Sequence, residues 1–413
     1  MWHTGGKRAA AKKVRTMAEQ SDGLSVLVTG GDSSAGLAAV KALTASGHRT
    51  TATARNAAGA LAIRQLGALA VFPDLQRASE ISSSLRMVEA EAVLHASAQV
   101  MMGVPQIDID HAGTGARILA ETQAVASAAA QHGIKRLVAL SAGNPDDHLQ
   151  AAESTLQASG LNGYILRAGY VYGGNSCATT ALADMIKRSA TPPSGAQPAS
   201  WIHEDDLAAA MLNLLVSEMP SNGMSILSAS DDSPCSPDDF AIALAQSLGL
   251  SAPRFAKPGR LARLRQPTAR ERLLAKANRL ESRQLRETFG WSPRHASLES
   301  GLEATTLTWR LQESIRAADY YEVYDDAAAE AIARRESGEG LPAPVVEAPA
   351  PVQTAEASPA ASNEAAPEPA KAAAPPPPSD GPTPWNEDEA KREERRRKAL
   401  ERRAKRAAKR ARG

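Results

Sequence analysis

Ser25-Val26-Leu27-Val28, followed by Thr29-Gly30-Gly31-Asp32-Ser33-Ser34-Ala35-Gly36, is the stretch from which the rest of the chain can be read. The short apolar run predicts a strand that stops at the glycines, and Leu37, Val40, Lys41 and Leu43 continue at helical spacing. Strand, glycine turn and helix in this order let main-chain N–H groups approach a pyrophosphate, with the positive end of a helix behind them. Thr29, Gly30, Ser33 and Gly36 are therefore candidate dinucleotide-binding residues. Ser33 stands where such turns usually carry their middle glycine, and a side chain there is expected to crowd the pyrophosphate.

Working outward, Gly47 ends the helix and His48 to Ala54 predicts a second strand, with Arg55 just beyond it. An acid at that place suits a free ribose hydroxyl, whereas a cation suits a 2′-phosphate, so NADP is preferred over NAD. Ala68 to Phe72 predicts a third strand that runs into Pro73-Asp74-Leu75. Ala92 to His95 predicts a fourth, ending in Ala96-Ser97-Ala98, and Arg136 to Leu140 a fifth, ending in Ser141-Ala142-Gly143. Ala-rich stretches between them, notably Arg117 to His132, predict helices. This alternation implies an α/β fold with a Rossmann-like, doubly wound parallel sheet and ligands at the carboxyl ends of its strands.

Seven segments in order strengthen that reading: Thr29-Gly30-x-x-Ser33-x-x-Gly36, Pro73-Asp74-Leu75, Leu94-His95-Ala96-Ser97-Ala98, Gly133 to Val138, Ile165 to Gly173, Trp201 to Leu207 and Phe289 to Pro293. Together they resemble the extended short-chain dehydrogenases/reductases of the NAD-dependent epimerase/dehydratase type, over about residues 24–310. The resemblance implies a Rossmann core, a smaller C-terminal substrate lobe in parts of about 172–310, Asp74 near the adenine, and Ala96 and Ser97 on the nicotinamide side. It also allows a homodimer.

The chemistry of that family needs a phenol made acidic by a nearby ammonium, which on one helix requires Tyr and Lys four residues apart. None of the six tyrosines is followed by Lys at that distance. Aligned on Glu153 and Ile165-Leu166-Arg167, the Tyr and Lys positions fall near Pro145 and Leu149, and the supporting Asn falls near Ile118. The serine position after the fifth strand is Ala142, with Ser141 one place early. Ser141 and His148 are the remaining candidates for catalytic groups, His148 because an imidazole exchanges protons near neutral pH. His95, His132 and His203 lie within motif text and His111 in a polar loop, and all are read as packed or solvated rings. No metal site is expected.

The chain of 413 residues has 47 Lys and Arg against 46 Asp and Glu, a near-neutrality that is a cancellation. Residues 1–16 hold five cations and no acid, and Asn386 to Gly413 hold 13 Lys and Arg against 6 Asp and Glu, which leaves −11 for residues 17–385. The organisation expected is a basic N-terminal arm at 1–23, with Met17 an alternative start, then the dinucleotide-binding domain at 24–315. An acidic, aromatic helix follows at 316–340, a disordered Pro/Ala linker at 341–384 and a basic helical tail at 385–413. Such a tail suits weak contact with a polyanion or a protein. Two cysteines make no disulfide framework, and with no apolar run of membrane-spanning length a cytoplasmic setting is expected.

Two readings remain. One is an NAD(P)-binding member of this type that has lost its chemistry and serves as a scaffold or sensor. The other is an active, atypical oxidoreductase or epimerase acting on a sugar nucleotide or another carbonyl or hydroxyl substrate.

Overall fold

The computed structural model describes residues 23–256 and 266–315. The basic arm through residue 22, the 316–340 helix, the linker and the tail expected from the sequence lie outside these residues. The strand–turn–helix opening forms as β1 (Ser25–Thr29) and α1 (Ser34–Ala45). It is followed by β2 (Arg49–Thr53), α2 (Ala57–Gln65), β3 (Leu69–Val71), α3 (Ala78–Met87) and β4 (Ala92–His95). After a 3₁₀ turn at Ser97–Met102 come α4 (His111–Gln131), β5 (Arg136–Ala142), α5 (Asp147–Ala158) and β6 (Gly163–Ala168). The chain continues through β7 (Tyr170–Tyr172), α6 (Cys177–Lys187), β8 (Trp201–His203), α7 (Glu204–Val216) and β9 (Met224–Ala229). It ends in α8 (Pro237–Ser247), α9 (Ala269–Ala275), α10 (Arg283–Phe289) and a helix, α11, over 298–315.

Seven strands make one parallel sheet in the order β3-β2-β1-β4-β5-β6-β9. Side chains alternate between its faces, so residue parity sorts the core. Val26, Val28, Leu94, Val138 and Leu166 pack on the face covered by α1 and α7. Leu27, Val93, Leu137, Ala139 and Ile165 pack on the face covered by α3, α4 and α5. Both faces are covered, which is why these strands read as continuous apolar runs. The order reverses between β1 and its neighbours β2 and β4, and the crevice beyond the carboxyl ends at that point is where ligands of doubly wound sheets sit.

The second lobe is not one continuous stretch. Residues 204–229 return to the main body, with α7 against α1 and β9 on the sheet edge. The lobe itself is built from the two-stranded β7-β8 sheet, α6, α8 and parts of 231–302. Its core is aromatic: Trp201 and Phe240 stack at 3.9 Å, with Tyr172 edge-on to both.

Candidate functional site

A cavity of about 870 Å³ opens at the crevice and runs from the glycine turn to the second lobe. Its first wall is the turn itself. Gly30 has φ +70°, and a Cβ there would stand 2.9 Å from the Ser97 amide nitrogen. Gly36 is equally constrained, because a Cβ would lie 2.2 Å from the Gly30 carbonyl oxygen. The two glycines thus let α1, the turn and the Ala96-Ser97 corner approach one another. Ser33 does not project as a free obstacle: it caps α1, accepting from the Gly36 N–H at 3.1 Å and donating to the Gly30 carbonyl at 2.7 Å. The crowding expected of a serine here is relieved by folding the side chain back onto the turn.

Of the sequence-predicted cofactor residues, Gly30, Ser33, Arg55, Asp74 and Ser97 line the cavity. Thr29, Gly36 and Ala96 stand behind that wall. Thr29 donates its hydroxyl to His95 Nδ1 at 2.7 Å, while Thr122 donates to the Ile118 carbonyl and accepts from His95 Nε2 at 2.9 Å. This chain fixes the Nε2–H tautomer, and burial pushes the His95 pKa down to about 4. The neutral imidazole is a joint between β1 and α4 rather than a titrating group at neutral pH.

Arg55 is engaged in a way its sequence does not reveal. Its Nε and its main-chain N–H both donate to Asp32, at 3.0 Å each to Oδ2, and Asp32 is itself in the glycine turn. The guanidinium remains exposed at the cavity edge. Farther along, Phe72 and Leu75 flank Asp74 and give this end an apolar surface. Two wall hydroxyls, those of Ser34 and Ser97, are buried without a hydrogen-bond partner in the protein.

Neither expected catalytic side chain is in this wall. Ser141 has the parity of Leu137 and Ala139, so it points under α4 and α5, where it is buried and unpartnered. His148, in the first turn of α5, packs on α4 over Gly115, where a Cβ would lie 2.8 Å from its ring. Leu149, near which the sequence sets the lysine position, is buried in the core. Beyond the end of β5, Leu280 and Asn278 cover Gly143, leaving 2.6 and 2.9 Å to a Cβ built on it. Hydrogen bonds from the Ser200 N–H to the Asn278 carbonyl and from the Leu280 N–H to Ser200 Oγ hold that covering segment.

The residues that do reach the cavity from this side were not singled out by the sequence. The helix expected from Arg117 begins six residues earlier, at His111, with Asp110 as its cap. His111 is therefore helical rather than in a loop, and it lines the cavity. Burial lowers its pKa, against the opposing charges of Asp146 and Asp108. The Asp110-His111 cap was the available signal, masked by Gly113 and Gly115, which weaken the helical pattern. One and a half turns on, Arg117 pairs with the buried Glu121, and both line the cavity. Asn175, Ser176 and Cys177 close it from the second lobe. No tyrosine and no lysine is among the described residues of this wall.

Comparison with known proteins agrees with this geometry. Residues 26–156 match the model of the NAD dependent epimerase/dehydratase family. The fold resembles the UDP-glucose 4-epimerase of Thermotoga maritima solved with UDP-glucose, at 18% identity and TM-score 0.56, covering 70% of this chain and 99% of that one. It also resembles the Thermus thermophilus UDP-glucose 4-epimerase solved with NAD, at 21% identity and TM-score 0.53, covering 69% and 98%. The Bifidobacterium longum enzyme, solved with NAD+ and UDP, gives 14% identity and TM-score 0.56 over 70% and 98%. At such identities the likeness is one of fold. No curated protein matches the chain by sequence.

Proposed function

We propose, for a chain whose residues 26–156 belong to the NAD dependent epimerase/dehydratase family, that it binds a nicotinamide dinucleotide and has lost the Tyr–Lys proton relay. The residues fit such a cofactor. The glycine turn leaves room for a pyrophosphate at the N-terminus of α1, and Ser34 and Ser97 line the same cavity. Phe72 and Asp74 suit the adenosine end. Arg55, oriented by Asp32, suits a 2′-phosphate, so NADP is the preferred form and NAD the alternative. A bound nicotinamide supplies hydride chemistry, but the protein must move the matching proton.

One observation supports the loss of chemistry: Leu280 and Asn278 fill the corner beyond β5, and the relay positions that the resemblance implies fall near Pro145 and the buried Leu149. The reading is therefore a dinucleotide-dependent scaffold or sensor, with residues 341–413 supplying a spacer and a basic end for a polyanionic or protein partner. Saturating NADPH should raise the melting temperature of the full chain, and mass spectrometry under native conditions should find NADP or NAD retained. No shift with NADPH or NADH would overturn the binding, and robust turnover with either would overturn the loss of chemistry.

A second reading is favoured by the course of the cavity, which continues past the dinucleotide end to Asn175 and Cys177. There is room for a second ligand, of which UDP-sugars are one class, and His111 is the imidazole at hand. If turnover exists, His111→Ala should abolish it and His148→Ala should not.

A further inference from the structure

β8 ends in His203, whose ring caps α7: Nδ1 accepts the Asp205 N–H at 3.3 Å. The side chain is buried, and Nε2 has no hydrogen-bond partner. Tyr172 stands edge-on to the ring at 5.4 Å. A second imidazole, that of His295, lies against it at 4.4 Å between ring centres. His295 is brought there by a specific clamp. The Asp206 carboxylate accepts the N–H groups of Arg294 at 2.7 Å and His295 at 3.0 Å, and the Trp291 indole donates to the Asp206 carbonyl. Asp205 adds a half-exposed carboxylate whose Oδ2 is 3.9 Å from His203 Nδ1.

One ligand atom from each of His203, Asp205 and His295 lies within 4.8 Å of the others. Around a tetrahedral zinc ion with bonds of about 2.0–2.2 Å, ligand atoms stand about 3.4 Å apart, so a closure of roughly 1 Å would seat one. Two nitrogens and a carboxylate oxygen suit zinc and its late first-row neighbours rather than calcium or magnesium. With Nδ1 accepting the Asp205 N–H, an ion at Nδ1 would compete with that cap, and an ion at the unpartnered Nε2 would need the Nδ1–H tautomer. The charge of Lys41 is felt at His203 and opposes a cation, and the carboxylate of Asp205 stands against it.

We propose that His203, Asp205 and His295 form a site for a zinc-class divalent ion, with a fourth position open to solvent beside Asp205. The ion would staple the segment before α11 to the start of α7, joining positions 90 residues apart. None of the three residues lines the dinucleotide cavity, so the site is independent of the function proposed above.

The test uses the full chain, stripped with a chelator and then titrated with zinc chloride alone, alongside His295→Ala and Asp205→Asn. Both side chains are partly exposed, so the variants should fold. Wild-type protein should bind one zinc ion more than either variant, with affinity at this site falling more than about 100-fold on losing a ligand. Cobalt should give a visible absorption band in the wild type that is absent in His295→Ala. Equal stoichiometry in all three proteins, or no binding, would overturn the proposal and leave the two imidazoles as a packing contact. The NADPH-induced thermal shift serves as the control for folding and should be the same in all three.

Discussion

At the carboxyl ends of β1 and β4, small residues and glycines hold the main chain open: Gly30 and Gly36 tolerate no Cβ, and Ser34 and Ser97 line the cavity. At the carboxyl end of β5 the arrangement is reversed. Gly143 is covered by Leu280, Leu149 is buried, and His148 is wedged over Gly115. The two corners belong to one sheet, yet at one the main chain borders a cavity and at the other side chains close over it. The difference is that the two corners rest on separate sets of contacts, so the proposed binding and the proposed loss of proton transfer can be tested separately.

The largest test of that contrast is Gly30→Asp, which sets a side chain against the Ala96-Ser97 backbone at positive φ and a carboxylate where a pyrophosphate would lie. It should cost about 1–2 kcal/mol of intrinsic stability and abolish a ligand stabilisation of about 2.7 kcal/mol at 100 times the Kd. Melting curves with and without NADPH measure both parts, and a retained shift would break the contrast.

Next comes His95, the joint behind the binding corner. Its folded pKa of about 4 lies below the ordinary imidazole value of 6.5, so its contribution is complete above pH 6.5 and is lost as pH falls toward 4. The amount is at most about 3 kcal/mol. Glu204 and Asp231, raised by burial to about 7 and about 8, act with the opposite sign, losing stability as pH rises from the ordinary carboxylate range through those values. The readout is therefore a difference between proteins: the urea midpoint of wild type minus that of His95→Gln should rise with pH between about 4.5 and 6.5. Parallel profiles for variant and wild type would show that His95 is not the group responsible.

A smaller effect is expected at Arg55. Replacing it with Ala should weaken NADPH about tenfold, or about 1.4 kcal/mol, while leaving NADH unchanged, since the group is exposed and screened. Calorimetric titration with both nucleotides would sharpen the description of the binding corner. An equal loss for both would mean that Arg55 acts by holding Asp32. Smallest is His148→Ala, which removes a contact between α4 and α5 and should cost about 1 kcal/mol without altering the NADPH shift.

Much of the scaffold was readable because its signals are local. β4 falls on the four residues expected, β2 and β3 lie within the expected runs, and β1 runs one residue past its apolar run, to Thr29. The start of α4 was missed because Gly113 and Gly115 look like breakers, although Gly115 is there to admit the ring of His148. Asp74 and Arg55 could be picked out as cavity residues because strand ends mark one edge of a parallel sheet. His111, Arg117, Glu121 and Phe72 could not, since which face of a helix or loop meets the cavity depends on how α4 docks.

By itself the sequence determined the doubly wound sheet, the glycine turn and the absence of a tyrosine–lysine pair, because apolar period, glycine placement and residue spacing are properties of neighbours along the chain. Only the tertiary structure decided that Ser33 folds back as a cap, that Asp32 takes hold of Arg55, that Leu280 closes the corner above Gly143, and that His295 meets His203. The last three join residues 23, 137 and 92 positions apart. Contacts of that span follow from how layers pack rather than from any local preference, and they determine which potential groups stay free for a ligand.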